Sequence, residues 1–270
     1  MPNAFVIDIG TQSMRGIVFD QHGNLLVKKQ VKYKPYLSKQ NGYMEQDPEM
    51  YWEVLCEICR SVSEENPSLL KEVVAMSVDT FRDTAVLLDA DRNVLRNCIL
   101  WSDQRMAKLD TKLPALQRVA FSLVGMTRTI NAIRKKIKTT WVRQNQPEIW
   151  AKVDKVAHLS AYINYKLTGN LVDCYASAIG HLPFYNKKKR WFKENELLFP
   201  IFELPLSMMT PLVSPGEVMG TITAEVSALT GLPEGLEIIA SGSDKGCETL
   251  GVGCIDLSLI HISEPTRQAE

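Results

Sequence analysis

Two short apolar runs on either side of a polar turn open the chain and constrain its fold more than any other segment. The runs at residues 4–7 and 16–19 flank the sequence Asp-Ile-Gly-Thr-Gln-Ser at residues 8–13. Apolar runs of this length, bounded by turn residues, are typical of buried strands. A third run at residues 25–31 follows His-Gly-Asn at 22–24, which favours a hairpin. The chain is therefore predicted to open as an antiparallel meander.

The turn at residues 8–13 has the composition of a phosphate-binding loop. Gly10 lets the backbone approach a ligand closely, and the amides of the next three residues could then point at phosphate oxygens. Asp8, at the end of a strand, would hold Mg²⁺ through water, because this ion gives up its hydration shell reluctantly. The same residues also occur in ordinary tight turns, and for the turn taken alone that alternative is the stronger one.

The composition is that of an ordinary globular protein. The chain has 270 residues, of which 45% are hydrophobic and 23% charged, enough for one large domain or two small ones. Lys plus Arg and Asp plus Glu number 31 each. No overall basic field is present, so neither nucleic acid nor an anionic membrane is expected as a partner. No apolar run approaches the roughly 20 residues that span a bilayer, and the chain opens on a strand, so we predict a cytoplasmic protein.

The six cysteines are scattered along the chain, mostly among apolar neighbours. This placement predicts buried free thiols in a reducing compartment. Cys56 and Cys59 have the spacing of a metal-binding pair, but they fall inside a helical pattern with no second pair and no histidines at zinc spacing. We therefore interpret them as core residues. The cysteines are Cys56, Cys59, Cys98, Cys174, Cys247 and Cys254.

Strand and helix patterns alternate in the rest of the chain. Asp47 and Pro48 provide an N-cap and a first-turn proline for an amphipathic helix. Its apolar face comprises Tyr51, Leu55, Ile58, Cys59 and Val62. Further strands are predicted at 73–78, 85–88, 98–101 and 237–240, and helical segments at 104–165 and 223–229, the last ended by Gly231. This order predicts an α/β fold in which helices flank a mixed sheet.

A second chemically suggestive acid lies far along the chain. Asp244 follows the predicted strand at 237–240 and stands between Gly242 and Gly246. A carboxylate held by small neighbours at a strand end could act as general base toward a substrate hydroxyl. The alternative is an aspartate that caps the following helix, which this spacing satisfies equally well.

Two further segments have the composition of a sugar site. Arg82 and Asp83 lie in a turn between two predicted strands, where one could donate and the other accept hydrogen bonds with vicinal hydroxyls. A solvated surface ion pair is the alternative. Trp101 ends a predicted strand, and its indole could pack on the apolar face of a sugar or anchor the core.

Five segments, in this order along residues 4–256, resemble the FGGY family of carbohydrate kinases, which includes glycerol kinase and xylulokinase. They are residues 8–13, Glu45-Gln46-Asp47-Pro48 with Tyr51-Trp52, residues 99–105, Leu167-Thr168-Gly169 and Gly242-Ser243-Asp244. The resemblance implies an actin-like ATPase (ribonuclease H-like) domain with ATP and Mg²⁺ as cofactors. It also implies transfer of the γ-phosphoryl group of ATP to a sugar or polyol hydroxyl.

The resemblance assigns roles residue by residue. Asp244 corresponds to the catalytic base and also contacts the substrate, together with Arg82, Asp83 and Trp101. Asp8 corresponds to the metal site. The phosphate and cofactor site is expected to comprise Asp8, Gly10, Thr11, Gln12, Ser13 and Arg15.

The substrate turn departs from both named relatives. Glycerol kinase has Arg-Glu where this chain has Arg82-Asp83, and the shorter acid argues against glycerol. The Met-His pair of xylulokinases is absent, which argues against xylulose. No counterpart of the substrate-contacting tyrosine of glycerol kinase is found at residues 130–138.

The resemblance also implies domain boundaries. Residues 1–256 correspond to the N-terminal, substrate- and phosphate-binding domain, and the nucleotide-binding C-terminal domain of the family has no counterpart. Residues 257–270 resemble a translated sequencing adaptor and are excluded from the fold prediction. The chain alone is expected to be inactive, because closure over the nucleotide needs the second domain.

The predicted partners are a small sugar or polyol, ATP and that second domain. The sequence leaves open whether the protein forms a homodimer. Two alternatives of other classes remain at this point. One is an actin-like ATPase or sugar-responsive regulator that does not transfer phosphate, and the other is a purely structural domain.

Overall fold

A computed structural model describes residues 2–254 of the chain, so the predicted tail at 257–270 lies outside the described residues. The strands are β1 Asn3–Ile9, β2 Ser13–Phe19, β3 Leu25–Lys32, β4 Glu45–Gln46, β5 Val73–Thr80, β6 Ala85–Leu88, β7 Cys98–Ile99, β8 Lys155–His158, β9 Asp173–Cys174, β10 Phe184–Tyr185, β11 Arg190–Trp191, β12 Leu212–Val213, β13 Val218–Thr221 and β14 Glu237–Ile239. The helices are α1 Pro48–Glu65, α2 Pro67–Leu70, α3 Ala115–Leu123, α4 Thr127–Lys136, α5 Lys138–Asn145, α6 Pro147–Trp150, α7 Leu159–Thr168, α8 Ala224–Thr230 and α9 Asp244–Gly251.

A mixed six-stranded sheet in the order β13-β14-β5-β1-β2-β3 forms the centre of the fold. The strands β1, β2 and β3 pair antiparallel, which confirms the predicted meander. The strand β5 runs parallel to both β1 and β14. Because parallel strands end at the same edge of a sheet, the carboxyl ends of β1, β5 and β14 are neighbours.

A second sheet, in the order β4-β7-β6-β8, is antiparallel throughout. The strand β8 was not predicted, because its apolar residues Val156 and Ala157 fall within a stretch that has helical spacing overall. Pairing of β8 with β6 along its whole length decides the strand conformation. This is a long-range contact that local periodicity does not report.

The predicted strand at 98–101 is too long at its C-terminal end, and the predicted helical stretch at 104–165 begins too early. The chain turns after Ile99, where the amide of Asp103 donates to the carbonyl oxygen of Leu100 at 3.1 Å. Helix then begins only at Ala115. In the intervening segment, the amide of Ala107 donates to the carbonyl oxygen of Lys135 and not to a residue of the same segment.

The helix α1 follows its prediction closely. The Asp47 side chain accepts a hydrogen bond from the amide of Glu49, and Pro48 occupies the first turn. All five residues of the predicted apolar face are buried against the central sheet, and each buried side chain of this size contributes roughly 2 kcal/mol. Cys56 and Cys59 lie in the same core, as predicted, and Cys98 and Cys174 are also buried thiols. The prediction is wrong for Cys247 and Cys254, which are only partly buried.

Gly16 in β2 allows α1 to pack closely on the sheet. A Cβ atom at this position would lie 2.4 Å from Cγ2 of Ile58 and 3.2 Å from Cε2 of Phe5. Any side chain would therefore separate the helix from the strand or displace Ile58. Among the described residues, no helix combines the length and the hydropathy needed to cross a membrane.

We expect Gly16→Ala to lower the free energy of unfolding by about 1 to 3 kcal/mol, because the new methyl group overpacks the interface between α1 and β2. Urea denaturation followed by circular dichroism measures this change. Gly251→Ala is the matched control, since a Cβ atom there meets no other atom within 4 Å. An equal effect of both substitutions would contradict the packing argument.

Candidate functional site

Three carboxylates gather at the edge of the central sheet where β1, β5 and β14 end. Asp8 in β1 pairs in register with Asp79 in β5. Asp244 begins α9 directly after the β14 connection, and a bridge between Thr80 and Ser243 holds that connection against the end of β5. The sheet thus brings together Asp8 and Asp244, two acids that are 236 positions apart in the sequence.

The turn between β1 and β2 presents unbonded amides beside these acids. The amide of Gly10 donates to the carbonyl oxygen of Ser13 at 3.0 Å, and a Cβ atom on Gly10 would lie only 3.0 Å from that oxygen. The Tyr33 hydroxyl donates to the carbonyl oxygen of Gly10. Within residues 2–254, the amides of Thr11 and Gln12 donate to no protein acceptor. A pair of free amides in a tight turn is suited to bind an anion.

Arg15 lies opposite Asp8 on the neighbouring strand. Its Nη1 atom is 2.5 Å from Oδ2 of Asp8, and both side chains are partly exposed. The guanidinium group therefore orients the carboxylate that was predicted as the metal site. It also places a positive charge next to the Gly10 turn.

Asp79 is an acid of this edge that the sequence analysis did not select. One carboxylate oxygen, Oδ1, is buried without a hydrogen-bond partner among the described residues. Burial, reinforced by the charge of Asp8, raises the pKa of Asp79 to about 7, although a hydrogen bond with Cys247 acts in the opposite direction. One signal in the sequence could have identified it. Asp79 directly follows the predicted strand at 73–78, just as Asp8 directly follows the first apolar run.

Asp244 occupies the first turn of α9, and the capping position belongs to Ser243. Its Oδ1 atom accepts a hydrogen bond from the amide of Lys245 at 2.7 Å. Nε of Arg82 lies 3.9 Å from the same oxygen. The carboxylate is thus held at the helix N-terminus with a cation beside it, while part of it stays open to solvent.

Arg82 and Asp83 do not form an ion pair with each other. Asp83 has a left-handed backbone with φ of +57°. Its Oδ1 accepts from the amide of His181 at 2.7 Å, and its Oδ2 lies 2.6 Å from Nδ1 of the same histidine. The solvated ion-pair alternative therefore does not describe this turn. His181 was missed because it is 98 positions away and lies in no recognised pattern.

Trp101 is 54% exposed, so the alternative of a core anchor is wrong. Its Nε1 atom donates to the Thr11 hydroxyl at 3.3 Å, which joins the tryptophan to the Gly10 turn. The indole thus lies at the surface beside the Gly10 turn.

A buried ion network positions the segment that carries Trp101. Nη2 of Arg105 is 2.7 Å from Asp103, and its Nη1 is 2.7 Å from Glu45. The guanidinium also stacks 3.9 Å from the ring centre of Tyr43. Glu45 and residues 101–105 were noted separately in the sequence, and the fold makes them parts of one network.

Among the described residues, no group of three or more His, Cys, Asp or Glu side chains is arranged to hold a metal ion. Mg²⁺, however, is commonly held by one or two carboxylates together with substrate phosphates. The adjacent Asp8 and Asp79 and the free amides of the turn have the donor set for such a complex.

Comparison with known proteins agrees with this geometry. Residues 4–251 match the model of the FGGY family of carbohydrate kinases, N-terminal domain. The xylulose kinase of Lactococcus lactis subsp. lactis (strain IL1403) is 30% identical over 252 residues, which are 93% of this chain and 49% of the relative. The chain therefore spans about half the length of the curated relatives it matches.

Solved structures show the same fold. A gluconate kinase from Lactobacillus acidophilus superposes with a TM-score of 0.76 at 20% identity, over 93% of this chain and 50% of that one. Glycerol kinase from Plasmodium falciparum with ADP gives 0.73 at 19% identity, over 95% and 51%. The predicted actin-like ATPase fold is confirmed. With its sheet edge, its Gly10 turn and the match over residues 4–251, the chain belongs to the FGGY family of carbohydrate kinases and forms an N-terminal domain of that family.

Proposed function

We propose that this domain supplies the sugar side and the phosphate side of an ATP-dependent kinase that phosphorylates a hydroxyl of a sugar or polyol. The observation that carries the proposal is the meeting of Asp8, Asp79 and Asp244 beside the Gly10 turn at one sheet edge. One part of this edge suits a metal-bound polyphosphate, and the other suits a substrate hydroxyl.

Asp8 and Asp79 would hold Mg²⁺, and the amides of Thr11 and Gln12 would receive phosphate oxygens. The unpartnered Oδ1 of Asp79 and the close approach at Gly10 fit this role. Bound ATP and Mg²⁺ supply the phosphoryl group and neutralise its charge during transfer. Arg15 keeps Asp8 oriented and adds positive charge next to the phosphates.

On the substrate side, Asp244 would orient the acceptor hydroxyl and take up its proton. Arg82 lies close enough to Asp244 to orient that carboxylate and to donate a hydrogen bond to a neighbouring hydroxyl. Asp83 would accept from a further hydroxyl through lone pairs that His181 leaves free. Trp101 is exposed beside the turn and would cover the apolar face of the sugar.

The identity of the acceptor sugar depends on the residues of the substrate turn. Relatives named above include a xylulose kinase, a gluconate kinase and a glycerol kinase. The Arg82-Asp83 turn still favours an acceptor other than glycerol or xylulose, so a panel must contain those two together with aldonates, other ketoses and longer polyols. Since the relatives are about twice as long, we propose that transfer requires a second half that closes over the nucleotide.

The test is ATP consumption by a full-length protein containing this domain, with Mg²⁺ and with or without each member of the panel. Turnover that depends on one sugar supports the kinase. Hydrolysis that no sugar changes supports an actin-like ATPase instead. Absence of any ATP turnover under all conditions contradicts the proposal.

We expect Asp244→Asn in that full-length protein to lower kcat by about 10² to 10⁴, because the acceptor hydroxyl loses its proton acceptor. Sugar affinity, measured by tryptophan fluorescence, should change little. Glu248→Gln, an exposed residue of α9 that pairs with Lys245, is the control and should leave kcat unchanged. Turnover near the wild-type rate in Asp244→Asn would remove the role of base.

Asp79 predicts a specific pH dependence of stability in the metal-free chain. Its pKa is about 7 in the folded state, above the ordinary 3.8, so between about pH 4 and 7 the folded chain keeps a proton that the unfolded chain releases. Stability should therefore fall as pH rises through this window, by roughly 1 to 3 kcal/mol between pH 5 and 8.

Asp79→Asn should remove that part of the pH dependence and make the protein more stable than the wild type at pH 8. Urea denaturation at both pH values measures the effect. Asp91→Asn, in an exposed surface turn, is the matched control and should follow the wild type. If the stability of Asp79→Asn depends on pH as strongly as that of the wild type, the pKa of Asp79 is not raised in the folded chain.

His181 should act as a positioning residue for Asp83. In the full-length protein His181→Ala is expected to raise the KM for the sugar about tenfold while kcat changes less, because Asp83 loses a side-chain partner. His181→Asn keeps a side-chain donor and should recover much of the affinity. His22→Ala, in an exposed hairpin, is the control. Equal KM values for the wild type and His181→Ala would contradict this role.

A further inference from the structure

A cavity of about 410 Å³ lies between α3, α4 and the segment that precedes α3. It shares no lining residue with the sheet edge that carries Asp8, Asp79 and Asp244. Its volume falls within the range of roughly 300 to 1,000 Å³ that is usual for small-molecule sites.

The inner wall of this cavity is apolar and well packed. Leu113, Phe121 and Ile130 line it and are each almost completely buried. They belong to a separate hydrophobic cluster, which also includes Ile137 and Ile201. The wall is therefore an apolar surface to which both helices contribute, suited to the hydrocarbon part of a ligand.

The polar part of the lining is positively charged. Lys112, Arg118 and Arg134 line the cavity, and no acidic side chain does. Within residues 2–254, neither Lys112 nor Arg118 has an acidic partner within ion-pair distance. Their charges are thus available to a ligand.

Arg134 adds a third positive charge to the lining, and this charge is buried. It is 6% exposed and pairs with Glu203, but Arg143 binds the same carboxylate, so two cations share one anion. The whole segment at 111–147 contains eight Lys or Arg residues and no Asp or Glu. Arg134 also has a buried Nε atom without a hydrogen-bond partner among the described residues. A net positive charge that is partly buried favours an anionic ligand.

We propose that this cavity, which we call the hairpin cavity, binds a small organic anion: a phosphate or carboxylate head group attached to an apolar body. The head group lies between Lys112 and Arg118, where the hydroxyl of Ser122 is a further donor at the lining. The apolar body lies on Phe121 and Ile130. Both parts are needed, since a bare anion leaves the apolar wall wet and a neutral amphiphile leaves the cations unpaired.

The test uses the 270-residue chain and four probes of matched chemistry in isothermal titration calorimetry. Octyl phosphate, kept below its micelle concentration, and octanoate each combine a charged head with an apolar body. Octyl glucoside carries the same tail without charge, and inorganic phosphate carries the charge without a tail. We expect one molecule of octyl phosphate or octanoate to bind at least tenfold more tightly than either partial probe.

Substitutions of residues that line the cavity test whether the probe binds there. Arg118→Gln and Lys112→Gln should each weaken binding at least fivefold, and Ser122→Phe should abolish it by filling the cavity without a change of charge. Arg128→Gln removes a cation of α4 that does not line the cavity and should leave affinity unchanged. Thermal melting of each variant confirms that it is folded.

The exposed face of α3 provides the competing explanation. Leu116 and Leu123 on this face are 71% and 82% exposed, so amphiphiles could adsorb there instead. Leu116→Ser should leave the binding of octyl phosphate intact. Loss of binding in Leu116→Ser, unchanged affinity in Arg118→Gln and Lys112→Gln, equal affinity for octyl glucoside, or no binding of either charged amphiphile to the wild-type chain would each overturn the proposal.

Discussion

The parallel pairing of β5 with both β1 and β14 is the constraint on which the site depends. Backbone hydrogen bonds fix the register so that Asp8 and Asp79 stand side by side. The connection after β14 continues along the end of β5 and delivers Asp244 at the start of α9. Main-chain geometry thus decides where the carboxylates lie.

This arrangement is electrostatically unfavourable in the absence of ligand, since like charges approach one another where water is partly excluded. Arg15 offsets part of the repulsion by pairing with Asp8, and Arg82 lies near Asp244. Within residues 2–254 no cation lies within ion-pair distance of Asp79, and burial, reinforced by the charge of Asp8, raises its pKa. An edge that holds unfavourable charge in this way is suited to a divalent cation, because binding the cation relieves the repulsion between the carboxylates.

Around this edge, the substrate-side residues are held by partners from distant segments. The Arg105 network fixes the segment that presents Trp101, and His181 holds Asp83 in its left-handed conformation. The roles proposed for Trp101 and Asp83 depend on these supports, because a free surface indole or a solvated aspartate would sample many orientations. The hairpin cavity is built differently, from two helices and a basic segment that contribute nothing to the sheet edge.

The sequence by itself determined the local elements of the fold and the residue types of half the site. Alternating apolar runs with strong turn residues specified the meander, and an N-cap, a proline and one apolar face specified α1, because these signals act over a few residues. The five ordered segments pointed to the family, and with it to Asp8, the Gly10 turn and Asp244.

Only the tertiary structure decided the strand β8, the end of β7 and the late start of α3, because long-range pairing and buried ion contacts override local periodicity there. For the same reason it alone revealed Asp79 beside Asp8, and His181 rather than Arg82 as the partner of Asp83. The contacts that define these residues join segments far apart in the chain, and no local pattern of residues encodes them.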